Sequence, residues 1–311
     1  MSADNRPLII AARPSRLSRT QAEWVGAQLA AAHDGLEVVF KWIESEGDQL
    51  ADVPLADAGG KGLFARAVER ALLSGDADVA VHSMKDLPVS DAEHPDELTI
   101  AAVPPREDVR DCLIARDGVS AIDQLKQDAV VGTAGPRRAA QLLHLRPDLK
   151  IELIRGNVET RLRKVLEGDS YDATLMAVAG LNRLGLSDRA SNAIDVQTML
   201  PAAAQGALAI QCRRNDQITI DRAMALNHST SCEAVHLERG VVEGLQGDCH
   251  SPIAVLAETD GDAYRVRARV LSEDGRRLAE ADETGQAQAM VERVMASLRS
   301  QGAVEILHGQ P

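Results

Sequence analysis

The chain has 311 residues, 45% of them hydrophobic and 26% charged, with a formal net charge of −13. That length suffices for two or three domains with cores of their own, and the charge argues against general nucleic-acid binding by phosphate neutralisation. No apolar run approaches the ~20 residues of a membrane span, and the run Leu8 to Ala12 is too short for an export signal and ends at Arg13.

The first two-thirds alternate short apolar runs with helical patterns, which predicts parallel βα units. Residues 7–12 read as a strand. Ser15 or Ser18 caps a helix reaching about Ala32, with Gly35 just past its end. Residues 36–43 read as the next strand. Leu63, Phe64, Ala67, Val68, Ala71 and Leu72 recur with helical period, and Gly75 suits the cap. Strands follow at 77–81 and 98–103. Pro104-Pro105 interrupts the pattern as a hinge or crossover. A second set of units has strands at 129–132, 150–154 and 172–178. Its helices run from Pro136, at a first helical position, to Leu145, and from Val158 to Leu166. Leu200-Pro201 makes another break, before the small-residue run 202–207. The last ~85 residues read as a small α+β domain: helix 231–245, strands 253–257 and 264–271, and a closing helix 286–299.

Four loops at predicted strand ends carry arginine: Arg13 with Ser15, Arg137-Arg138 after Gly135-Pro136, Arg155-Gly156-Asn157 with Arg161, and Arg183. Strand-to-helix loops are natural anion sites, and arginine grips carboxylates bidentately. Any one of these residues also reads as a solvated surface arginine. Gly59 to Phe64 lacks phosphate-loop spacing and reads as a mobile lid with Phe64 stacking on a flat ligand, or as a turn with a core phenylalanine. Asp86 follows the strand Val79-Ala80-Val81, beside His82, Ser83 and Lys85. It reads as a carboxylate that accepts N–H groups and stabilises a cation, or as a strand-end cap paired with Lys85. The four cysteines (Cys112, Cys212, Cys232, Cys249) have no CxxC spacing, so no metal site or redox motif is expected. Cytoplasmic location with reduced thiols is the simplest reading. Cys249, between Gly247-Asp248 and Pro252, is a reactive thiol, a buried small hydrophobe or a covalent anchor.

These segments together resemble the porphobilinogen deaminase (hydroxymethylbilane synthase) family. The resemblance runs through Arg13-Pro14-Ser15, Gly59 to Phe64, Val81-His82-Ser83-Met84-Lys85-Asp86-Leu87-Pro88, Arg155-Gly156-Asn157, Ala177 to Leu181 and Leu200-Pro201-Ala202. It covers nearly the whole chain. It implies two periplasmic-binding-protein-like α/β domains facing a cleft, plus a small C-terminal α+β domain. Domain 1 would be 1–103 with 202–222, domain 2 would be 104–201, and domain 3 would be 223–311.

The resemblance also implies a reaction. Four porphobilinogen molecules are deaminated and joined head to tail into hydroxymethylbilane, primed by a dipyrromethane cofactor held as a thioether at Cys249. Asp86 would be catalytic. Ser83, Lys85, Asp86, Thr133, Arg137, Arg138 and Arg155 would hold the cofactor. Arg13, Ser15, Gln21, Phe64, Arg155, Arg161 and Arg183 would hold substrate. No metal, nucleic acid or membrane is implied. The resemblance suggests a monomer that passes its product to the next pathway enzyme.

Some positions depart from the family pattern. The usual Gly-Thr-Ser-Ser-Leu-Arg-Arg reads Gly132-Thr133-Ala134-Gly135-Pro136-Arg137-Arg138 here, so two hydroxyls are missing. Thr-Arg-Gly-Asp reads Ser45-Glu46-Gly47-Asp48, Gly-Gln-Gly reads Ala204-Gln205-Gly206, and Arg16 stands where proline is common. Altered handling of the cofactor and the growing chain is expected. The rival readings are a degenerate paralogue, or a clamshell anion-binding protein, that binds pyrrole carboxylates without turnover.

Overall fold

The computed structural model describes residues 6–44, 65–89, 95–190, 192–248 and 250–309. The chain divides into two compact units, residues 1–107 with 207–232 and residues 108–206 with 233–311.

In the first unit a five-stranded sheet forms from β1 (Leu8–Ala12), β2 (Val38–Trp42), β3 (Val79–Ser83), β4 (Leu98–Ala102) and β9 (Leu208–Arg213), in the order β2-β1-β3-β9-β4. Helices α1 (Arg16–Ala32), α2 (Arg66–Leu73) and α6 (Gln217–Met224) flank it. Successive strand residues point to opposite faces. Leu8, Ile10 and Ala12 therefore pack with Ala22, Val25 and Leu29 of α1, while Ala11 and Ala80 pack on the other face with Val68, Ala71 and Leu72 of α2. Both faces are covered, which is why β1 is an unbroken apolar run. Ser15 is the cap of α1, and its side chain accepts from the Ser18 N–H.

The expected parallel pairing holds for β1 with β2 and β3. Strand β9, absent from the sequence reading, runs antiparallel between β3 and β4. Asp78, at the foot of β3, is buried and ties this region together. It accepts from the Ile9 N–H at 3.0 Å, from Arg6 at 2.9 Å and from Arg213 of β9 at 3.1 Å. A buried carboxylate persists only when it is paired in this way.

The second unit contains β5 (Asp111–Ala115), β6 (Val130–Gly132), β7 (Lys150–Glu152) and β8 (Ala173–Ala177), in the order β5-β8-β6-β7. Here β6 pairs parallel with β7 and β8, and β5 pairs antiparallel with β8. Helices α3 (Pro136–Leu145), α4 (Val158–Leu166) and α5 (Val178–Arg183) follow β6, β7 and β8 respectively. Helix α7 (Ser229–Gly244) precedes an antiparallel meander of β10 (Ile253–Asp260), β11 (Ala263–Leu271) and β12 (Leu278–Gly285), closed by α8 (Ala287–Ser300) and α9 (Ala303–His308). Leu200, Ala254 and Leu256 share a core with Val109 and Val196, so the meander packs on the same unit. Glu238 of α7 is fully buried. Its carboxylate accepts from Ala204 N–H at 2.6 Å and Ala257 N–H at 2.8 Å, fastening the 201–206 segment to β10.

Candidate active site

Neighbouring parallel strands β1 and β3 end at the same edge of the first sheet, and loops leaving such an edge form crevices. Arg13 and Ser15 leave β1, while His82 and Ser83 end β3 and lead into a 3-10 turn, Met84–Asp86. Around them lies a pocket with about 520 Å³ of empty space open to solvent. Its polar wall is Arg13, Ser15, Ser18, Gln21, His82, Ser83 and Asp86, and its apolar wall includes Val68, Val81 and Leu87.

Local sequence explains the turn. Met84 is fully buried and its N–H donates to Ala207 C=O at 3.0 Å; Leu87 N–H closes the turn on Met84 C=O at 3.2 Å. With Met84 as the plug, Lys85 is half-buried and Asp86 is left exposed to the pocket. Gln21 is buried. Its Nε2 donates to Ser83 Oγ at 3.0 Å, and that hydroxyl lies 3.3 Å from Gln21 Oε1, so helix α1 orients the Ser83 side chain. Ser18 Oγ accepts from Arg13 N–H at 3.1 Å, holding the loop that presents Arg13. The pocket thus combines a guanidinium, hydroxyls, an amide and one exposed carboxylate. That set can bind carboxylates on one side and N–H donors on the other.

In the second unit the predicted anion residues group at three helix ends. At the start of α3, Pro136 occupies the first turn and Gly135 is the cap, with no side-chain capping bond. The Thr133 hydroxyl accepts from Gly135 N–H at 3.2 Å. Arg137 turns inward: Nη2 donates to Asp111 Oδ2 at 2.7 Å and Nη1 to Leu200 C=O at 2.7 Å. Burial pulls its guanidinium below the usual arginine range, and Asp111 opposes that pull. Arg138 donates from Nη2 to Asp111 Oδ1 at 2.7 Å and from Nη1 to Leu175 C=O at 2.9 Å. Its Nε is buried without a hydrogen-bond partner among the described residues. Gln205 adds a bond to Asp111 Oδ1 at 3.0 Å. Two guanidinium groups on one carboxylate leave an excess positive charge there.

At the start of α4, Asn157 caps Thr160 N–H at 2.8 Å, Arg161 Nε donates to Gly156 C=O at 2.8 Å, and Arg155 is half-buried beside it. At the end of α5, Arg183 donates to Gly206 C=O at 2.6 Å. Phe64 and the glycine segment 59–62 lie outside the described residues, as do Ser45 to Asp48 and Cys249. Beside Cys249, Asp248 Oδ1 accepts from His250 N–H at 2.9 Å and from the Ser251 hydroxyl at 3.0 Å.

Two family models match the chain. Porphobilinogen deaminase, dipyromethane cofactor binding domain, matches residues 8–221, and porphobilinogen deaminase, C-terminal domain, matches residues 232–299. The chain belongs to the porphobilinogen deaminase family. Porphobilinogen deaminase of Pelobacter propionicus is 41% identical over 305 residues, covering 97% of this chain and 96% of that protein. That of Syntrophotalea carbinolica is 44% identical over 303 residues, covering 96% and 95%.

The family's cofactor is dipyrromethane, and the donor set fits it. Exposed Asp86 suits pyrrole N–H groups, and Arg13, Ser15 and the arginine clusters suit pyrrole carboxylates. Asp111 and Gln211 are among the polar residues that escaped the sequence reading. A signal existed for Asp111. It opens the apolar run Cys112-Leu113-Ile114, which reads as a buried strand, and it lies in the same unit as two predicted arginines whose own loop offers no carboxylate.

Proposed function

We propose that this chain performs the family's reaction with Asp86 at its centre. Family membership over nearly the full length makes it a transferase of tetrapyrrole biosynthesis. It deaminates four porphobilinogen molecules and joins them into hydroxymethylbilane. The observation that supports the catalytic assignment is the exposed Asp86 carboxylate in the pocket beside Arg13 and Ser83. There it accepts pyrrole N–H groups and stabilises the positive charge that develops as ammonia leaves. Arg13 and Ser15 bind the acetate and propionate groups. In the second unit, Arg138, Arg155, Arg161 and Arg183 offset the charge of the growing chain, with Arg137 and Thr133 shaping the start of α3. Lys85 joins Ser83 and Asp86 in holding the cofactor, and Gln21, which orients Ser83, joins the substrate contacts. Phe64 packs against a pyrrole ring.

Dipyrromethane, when bound, supplies the carbon on which the chain grows. Its tether is Cys249. Burial pushes the Cys112 thiol up to about 12 and the Cys212 thiol up to about 11, which removes both as nucleophiles.

A three-domain organisation accompanies this reading, with domain 1 at 1–103 and 202–222, domain 2 at 104–201 and domain 3 at 223–311. The gap between the two family matches, at 221 to 232, supports the last boundary. No helix among the described residues is long and apolar enough to cross a membrane. The chain works as a cytoplasmic monomer and releases its product to an enzyme that consumes linear tetrapyrroles.

Asp86→Asn tests the centre of the proposal: turnover collapses while intact-protein mass still shows the increment of two linked pyrrole units. Normal turnover removes Asp86 from the mechanism. Cys249→Ser should lack the mass increment, and a retained increment moves the tether elsewhere.

A further inference from the structure

Two serines stand at the start of α1, and Ser15 rather than Ser18 is the cap. The Ser15 Oγ accepts from Ser18 N–H at 3.4 Å. Ser18 lies in the first turn of the helix. Its Oγ reaches back past the cap and accepts from Arg13 N–H at 3.1 Å.

A serine hydroxyl has one proton to donate and two lone pairs to fill. Inside a helix that proton commonly returns to the carbonyl four residues earlier. Thr20 does this, donating to Arg16 C=O at 3.0 Å. Ser18 does not. Among the described residues its hydroxyl takes part in the Arg13 bond alone, as acceptor, so its proton is uncommitted. Ser18 is half-buried and lines the pocket with Arg13, Ser15 and Ser83. The Ser83 hydroxyl is engaged by the Gln21 amide, at 3.0 and 3.3 Å. The Ser15 hydroxyl, like that of Ser18, acts only as an acceptor among the described residues. The hydroxyl protons of this wall that remain for an incoming anion are therefore those of Ser15 and Ser18.

We propose that Ser18 is a further substrate-binding residue of this pocket, whose oxygen accepts the Arg13 N–H and whose proton goes to the carboxylate that Arg13 binds. This deepens the functional reading above and rests on it. A carboxylate offers about four lone-pair sites, so one acetate or propionate group can take a guanidinium and two hydroxyls at once. The two bonds of Ser18 strengthen each other. Donation to an anion makes its oxygen a better acceptor, and the Arg13 N–H stabilises the charge that this builds up.

Titration calorimetry of porphobilinogen into the Asp86→Asn holoenzyme tests the contact without turnover. Adding Ser18→Ala should weaken binding about tenfold, the loss expected for one hydrogen bond to a charged group. Ser18→Thr keeps the hydroxyl and should bind close to the parent. Unchanged affinity in Ser18→Ala overturns the proposal, and so does a Ser18→Thr variant as weak as Ser18→Ala, which would show a packing effect. Combination with Arg13→Gln separates contact from support. A residue that only held the Arg13 loop would have nothing left to lose there, whereas a residue touching substrate should still lose affinity with Ser18→Ala. A loss that vanishes in the Arg13→Gln background therefore also overturns the proposal. Unmoved affinity in Arg13→Gln alone would defeat the carboxylate reading of Arg13, while Ser18→Ala still reads its own hydroxyl. Normal turnover of Asp86→Asn would defeat the Asp86 assignment alone, and the same variants are then compared by KM.

Discussion

The pocket of the first unit and the arginine cluster of the second use similar residues in opposite ways. In the pocket, buried residues serve as supports and polar groups face outward: Met84 is the plug, Gln21 steers Ser83, and Asp86 is exposed. In the cluster the charges face inward. Asp111 is fully buried and binds Arg137 and Arg138, both at 2.7 Å. In the function proposed above, the aspartate of the pocket is chemistry without packing. In the cluster it is packing that sets the direction of two arginines. Residue type alone does not separate the two; burial does.

Asp86→Asn and Asp111→Ala are the sharpest way to break the comparison. Asp86→Asn should lower kcat by about 10²- to 10⁴-fold, the range for loss of a positioned acid–base group, with the thermal midpoint unchanged. A shifted midpoint with intact kcat would reverse the assignment. Asp111→Ala should destabilise the protein by about 3–5 kcal/mol in urea unfolding, because buried Arg137 and half-buried Arg138 lose their counter-charge. Stability equal to the unsubstituted chain would show that the cluster is solvated, and that Arg137 is as available to ligand as Arg13.

Much of this was legible in the sequence, and the failures share one cause. Strands β1, β3, β6 and β8 were readable because their residues are apolar runs packed on both faces. Strand β9 was missed because Gln211 breaks its apolar run, and among the described residues the Gln211 side chain is satisfied by Glu69 and His82, from distant parts of the chain. Strand β5 was missed because it opens with Asp111, whose partners lie 26 and 27 residues away. Strand β12 alternates alanine with acidic residues, and its pairing depends on β11, where Arg265 meets Asp282 and Arg269 meets Glu280. The site followed the same rule. Asp86 and Ser83 were readable as a strand-end motif, whereas the inward turn of Arg137 depends on a carboxylate outside its own loop.

A smaller effect probes the α4 loop of the second unit. Gly156 has φ +115°, and a Cβ there would lie 2.5 Å from Thr160 Cγ2. Gly156→Ala should cost about 1–3 kcal/mol and displace the carbonyl that Arg161 Nε uses. Urea unfolding measures the first effect, and a raised KM for porphobilinogen measures the second. A neutral result would show that the loop relaxes, and that Arg161 needs no fixed carbonyl.

The smallest effect concerns Gly135, one of the positions that the sequence reading sets apart from the family pattern. Gly135 caps α3 with φ −101° and ψ 117°, an extended conformation open to any residue, and no side chain completes the cap. A Cβ built there meets only Thr133 Oγ1, at 3.9 Å, so serine fits without displacing a neighbour. Gly135→Ser should therefore raise stability by a few tenths of a kcal/mol, the difference between serine and glycine as caps. It also places a hydroxyl at the helix N-terminus next to Arg137 and Arg138. If that end binds pyrrole carboxylates, KM should fall with kcat unchanged, because the new bond forms with bound substrate as well as in the transition state. A gain in stability with KM unmoved would show a purely structural cap. The arginine cluster would then hold α3 against β5 and leave ligand binding to the pocket of the first unit.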